Sequence, residues 1–171
     1  NRASALGSYI HCLCTILSKH YKIYINGEEF EKLSPAEGNT NAPKVNTGSI
    51  FKKLFPQFLK NAIRDYLHLR KMKVFSESDV CEKGDILLEF YSYGSDAGRL
   101  GSEKYNKKLM IIFDAPVLEE NEFFNGKKII FRKKIKKLQD QALIKADRIV
   151  VYSNPVKEYV SHITTKRDNI F

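Results

Sequence analysis

Two apolar runs that each end abruptly in polar residues do most to limit what this chain can fold into. Ile86-Leu87-Leu88 leads into Glu89-Phe90-Tyr91-Ser92, and Leu109-Met110-Ile111-Ile112-Phe113 leads into Asp114-Ala115-Pro116. Short continuous apolar runs bounded by turn formers read as strands covered on both faces, the pattern of a parallel sheet. Parallel neighbours need a crossover, and the stretch from Gly94 to Lys107 has room for a loop and a short helix. In open α/β sheets, ligands bind outside the carboxyl ends of the strands. The tips at Tyr91, Ser92, Gly94 and Asp114 are therefore where chemistry should be sought.

The flanking sequence fits the same alternation. Leu6, Tyr9, Ile10, Leu13, Ile16 and Leu17 form a helical stripe over residues 5–19, with Ser4 placed to cap it. YKIYIN, residues 21–26, alternates and is rich in β-formers, which predicts a strand. Residues 27–48 turn polar and read as a long loop. Phe51, Leu54, Phe55, Phe58, Leu59, Ala62, Ile63 and Tyr66 make a second stripe, in which Pro56 either kinks the helix or marks its start. Residues 67–83 read as a basic connection. Residues 127–146 predict a long helix, 149–152 a strand ending at Ser153-Asn154, and 155–162 a helix opened by Pro155. The class expected is α/β: a Rossmann-like, doubly wound, mostly parallel sheet with helices on both faces, in a single domain spanning 1–171.

Composition narrows the functional classes. A hydrophobic content of 43% supports a real core and argues against wholesale disorder. No apolar run approaches the roughly 20 residues that span a bilayer, and no stretch reads as a secretory leader. Cys12, Cys14 and Cys81 are too few and too scattered for a disulfide scaffold, which favours reduced thiols in a cytoplasmic protein. Within a helix, Cys12 and Cys14 point to different sides and read as packing residues rather than ligands. His11, His20, His68 and His162 are dispersed and form no nucleophilic or metal-binding constellation. The excess of 29 basic over 20 acidic residues, +9, points to anionic partners. Much of it lies in Lys127, Lys128, Arg132, Lys133, Lys134, Lys136 and Lys137, a cluster able to dock on an anionic membrane surface. No helix-turn-helix, finger spacing or RNP-type aromatic pair accompanies it, which argues against nucleic acid.

A dinucleotide fingerprint and a Walker A sequence are both missing. Gly94-Ser95-Asp96-Ala97-Gly98 could open a helix toward a phosphate, or be a tight turn capped by Ser95 or Asp96. Asp114 projects from an apolar strand. It can hydrogen-bond a sugar hydroxyl, act as a base if partial burial raises its pKa, or simply tie down the turn before Pro116. Glu119 and Glu120 could join it around a cation, or form a solvated acidic loop.

The ordered series of these segments resembles the N-terminal domain of family-four glycosyltransferases of the GT-B type. DILLEFYSYGSDAG is similar to a family strand written D-V-I-Y-E-R-Y, and KLMIIFDAPVLEE to one ending N-A-P-L-x-x-E. LQDQALIKADRIVVYSNPVKEYV matches the family's helix-strand-helix run, and Asp168-Asn169-Ile170-Phe171 the approach to its interdomain region. The resemblance implies a retaining transferase that moves a sugar from a nucleotide-sugar co-substrate, without further cofactor or metal, to a glycan or lipid-linked acceptor. It places the catalytic-site position on Asp114. Glu89, Tyr91, Ser92, Gly94, Glu119, Glu120 and Ser153 fall on the acceptor side, and Gly7 and Ser8 in the loop facing the donor diphosphate. Phe90 replaces the family's Arg after Glu89, and the expected Gly-Gly pair is missing at Gly7. The resemblance further implies a first strand before Asn1 and a donor domain after Phe171, so that these residues alone turn over no nucleotide-sugar. The charge of the basic helix, rather than the resemblance, would set that work at the inner face of a membrane. A sugar-nucleotide epimerase domain, or a non-enzymatic module binding nucleic acid or protein through the basic helix, are the alternatives.

Overall fold

The computed structural model describes residues 5–25, 28–30, 56, 59–60, 62–63, 65–67, 69–70, 79–125 and 129–171. The chain divides into two compact units, Asn1–Leu54 and Phe55–Phe171. In the first unit, helix α1 spans Ala5–Leu17 and leads to a short hairpin, β1 (Tyr24–Ile25) paired antiparallel with β2 (Glu28–Glu29). The expected six-residue strand thus shrinks to two residues. The sequence between the partners is Asn26-Gly27, the pair best suited to a two-residue hairpin connection. Cys12 is exposed and Cys14 buried on α1, as their spacing requires. Residues 31–50, most of the expected loop, lie outside the described residues.

The second unit holds a three-stranded parallel sheet flanked by helices, a Rossmann-like α/β arrangement. Its strands are β3 (Ile86–Phe90), β4 (Lys108–Phe113) and β5 (Arg148–Val151), ordered β3-β4-β5. Helix α2 (Ala97–Tyr105) connects the first pair. Helices α3 (Val117–Asn125) and α4 (Arg132–Lys145) connect the second, and α5 (Asn154–Ser161) follows β5 with Pro155 in its first turn. Ile170 then pairs in parallel with Ile149, so the last residues run along the outer side of β5. The register aligns Phe90 with Ile112, and Phe113 with Val151.

The core follows from the central position of β4. Leu109, Ile111 and Phe113 are fully buried and meet Ala142 and Leu143 of α4, Ala146 just after it, Ile149, Val160 and Ile170. Asp147 pins the start of β4, accepting the Leu109 amide on its carboxylate (2.9 Å) while its own amide donates to the Leu109 carbonyl (2.8 Å). On α2, Ala97, Gly98, Gly101 and Ser102 form a small-residue face. A Cβ at Gly101 would lie 2.8 Å from Cys81 Sγ, so the missing side chain lets helix and neighbour approach.

Helix boundaries depart from expectation in three places. The described residues among 59–70 are helical, so that helix runs past Tyr66; the Pro56 carbonyl accepts the amides of Leu59 (3.0 Å) and Lys60 (3.3 Å). Helix α4 begins at Arg132 rather than 127, with Lys127 and Lys128 outside the described residues. The stretch expected as an acidic loop after Pro116 is α3, whose first turn carries Glu119 and Glu120. Carboxylates in a first turn complement the helix dipole, which is why an acidic run folds as a helix start.

Candidate functional site at the carboxyl edge of the sheet

Parallel register brings the strand tips together. Continuing it from Phe90–Ile112 sets Ser92 level with Asp114, and continuing it from Phe113–Val151 sets Tyr152 on the other side. Ser153 lies one residue further, at the N-cap of α5, where its carbonyl accepts the Lys157 amide (2.9 Å). Asp114, Ser92, Glu120 and Ser153 are exposed. The exposed Asp114 carboxylate bonds to no described residue. Gly7 and Ser8 are in the first turn of α1, in the other unit.

Beside this open edge lies a buried polar network. Gln139 is fully buried in α4 and donates through Nε2 to the Tyr159 hydroxyl (2.9 Å), which donates to Glu119 Oε1 (3.2 Å). Burial, then the Glu119 charge, raises the Tyr159 pKa. The Tyr159 ring stacks on Phe113 (6.2 Å, 7°), and Phe113 packs against Tyr91 (5.4 Å, 49°). Tyr91 is 6% exposed. Its pKa is pushed up by burial and by the surrounding groups Glu89, Asp96, Asp140 and Tyr159. Two buried atoms in this region have no hydrogen-bond partner among the described residues: the Tyr91 hydroxyl and Glu119 Oε2. Leaving such a group unpaired costs about 1–3 kcal/mol, so native structures keep few of them.

The Gly94–Gly98 turn is committed to the protein itself. Gly94 adopts φ +67°, a left-handed conformation that glycine allows without strain. Asp96 stands at the N-cap of α2, its carbonyl accepting the Leu100 amide (3.0 Å), but its side chain makes no capping bond. The Ser95 hydroxyl donates to Glu89 Oε1, and Asp96 pairs through both oxygens with Arg99, which also holds Glu103. Glu89 takes the cap's place, its Oε2 accepting the Gly98 amide (3.0 Å) at the N-terminus of α2. A carboxylate already fills the anion position there, which removes this loop as a phosphate cradle.

Burial raises the Glu89 pKa, the Ser95 and Gly98 bonds lower it less, and Asp96 adds to the rise. The folded state then holds a proton on Glu89 at pH values where the unfolded chain has lost it. Its contribution to stability is fully present below the ordinary glutamate pKa and is lost as pH rises through the folded value. Glu89→Gln should remove that dependence. Urea titrations of both proteins between about pH 4 and pH 8 should show the wild type losing stability relative to the variant as pH rises.

Several contacts of this region escaped the sequence reading. Gln139 could have been found, because it interrupts the apolar stripe between Ile135 and Ala142. The Glu89–Ser95–Gly98 latch carried no local signal. Glu119 and Glu120 do not converge, one bonded inward to Tyr159 and the other exposed, and no group of three metal-ligating side chains occurs among the described residues. His11 bonds Thr15 (3.1 Å) and His162 ends α5, while His68 lies outside the described residues. No helix among the described residues is long and apolar enough to cross a membrane. Comparison with family models, curated proteins and solved structures finds no match for this chain.

Proposed function

We propose that this chain is the acceptor-side domain of a retaining glycosyltransferase, working on the cytoplasmic side with a nucleotide-sugar donor and a glycan or lipid-linked acceptor. The observation that carries the reading is the pair of buried, unpartnered polar atoms, Tyr91 Oη and Glu119 Oε2, beside an open sheet edge ending in Asp114. A phenol that donates or accepts and a carboxylate that accepts are suited to sugar hydroxyls, with the rings of Phe113 and Tyr159 packed behind them. Asp114 binds a hydroxyl of the transferred sugar or of the acceptor. The leaving phosphate takes the acceptor's proton as the new glycosidic bond forms, so no base of raised pKa is needed on this edge. A histidine-lined epimerase site has less support, since His162, the described histidine of the second unit, closes α5 at the end away from this edge.

Tyr91→Phe separates binding from scaffold. Removing an unpaired buried hydroxyl should raise stability by about 1 kcal/mol in urea denaturation. The same change should weaken binding of simple methyl glycosides, read by saturation-transfer NMR, by about tenfold. Loss of stability with unchanged glycoside binding would contradict the reading.

A further inference from the structure

Phe123 and Phe124, at the end of α3, are the most exposed large hydrophobic residues among those described, at 82% and 74%. Their rings meet edge to face at 5.2 Å, forming one apolar knob. Glu122, just before them, pairs with Arg132 Nε (2.9 Å) and so clips the knob to the first turn of α4. Ile130, 44% exposed, lies in the same connection. Along α4, Lys136 is turned to Asp140 and Tyr159, whereas Lys133, Lys134 and Lys137 are exposed and pair with no described residue. Glu120, three and four residues before the two rings, is the opposing exposed carboxylate on α3.

We propose that this corner docks on an anionic lipid bilayer, Phe123 and Phe124 entering the headgroup boundary while Lys133, Lys134 and Lys137 meet the headgroups. Exposed aromatics beside free lysines are the composition of interfacial membrane anchors. Protein interfaces, by contrast, are depleted in lysine. The Glu122–Arg132 pair leaves both features on one corner with its own charges cancelled. The proposal does not rest on sugar transfer, and either can fail alone.

The test is sedimentation with vesicles of phosphatidylcholine alone or mixed with phosphatidylglycerol. The chain should pellet with the mixed vesicles and stay in solution with the neutral ones. Lys133→Gln/Lys134→Gln/Lys137→Gln should weaken binding about a hundredfold, each lysine near an anionic surface counting about fivefold. Phe123→Ser/Phe124→Ser should weaken it at least about tenfold, and Glu120→Gln should strengthen it. All these side chains are exposed, so thermal unfolding should be unchanged and loss of binding cannot be ascribed to misfolding. Equal binding to both vesicle types, no binding to either, or wild-type binding by the Phe variant would overturn the proposal. So would a dimer in gel filtration that the Phe variant converts to monomer, which would make the corner a contact between copies.

Discussion

Phe113→Ala is expected to destabilise the second unit by about 3–5 kcal/mol, the range for emptying a fully buried aromatic site. Phe113 is 0% exposed and is the last residue of the central strand. Its ring fills the space between Tyr91 and Tyr159, stacked on the second at 6.2 Å. Truncation leaves a cavity with a wall of two large rings, and helices α3, α4 and α5 are held around it by the Gln139–Tyr159–Glu119 bonds and cannot simply collapse inward. Urea denaturation followed by circular dichroism measures the loss. The same cavity lets Tyr91 and Tyr159 turn, so glycoside binding should vanish even under conditions where the variant remains folded.

Gly98→Ala should also destabilise, by about 3 kcal/mol from overpacking together with a weakened bond from the Gly98 amide to Glu89. The sign is diagnostic, because in an exposed helix interior the same change stabilises by about 1 kcal/mol. Here the new methyl would collide with Glu89 Oε2 and lie 2.9 Å from Leu109 Cδ1. The Glu89 carboxylate must retreat, giving up the Gly98 amide and the Ser95 hydroxyl together. Thermal and urea unfolding of Gly98→Ala, Glu89→Ala and the double variant form a cycle. The glycine change should cost less once Glu89 is already truncated, since one of the two clashes is gone.

What the chain's sequence revealed and what it hid have physical causes. The parallel strands were legible because Leu109 to Phe113 is apolar at every position, which a sheet open on one face would not need. Pro155 marked the start of α5 because its fixed backbone angle and missing amide hydrogen act locally. The hairpin at Tyr24 was missed because alternation over residues 21–26 specifies a strand but not its partner. The start of α4 was misplaced because lysines favour helices without saying where one begins. At the site, the positions of Tyr91, Ser92, Asp114 and Ser153 followed from the strand ends. The latch joining Glu89 to Gly98 and the bond from Gln139 to Tyr159 join residues 9 and 20 apart on different elements, so only the folded backbone reveals them.

Amide chemical-shift mapping of the chain titrated with methyl glycosides tests the central claim most directly. Shifts concentrated at 91–94, 114–120 and 152–153, and lost in a Tyr91→Phe/Glu119→Gln variant that remains folded, are the predicted result. A titration that moves none of these amides, or moves only those of Asn1–Leu54, would contradict it.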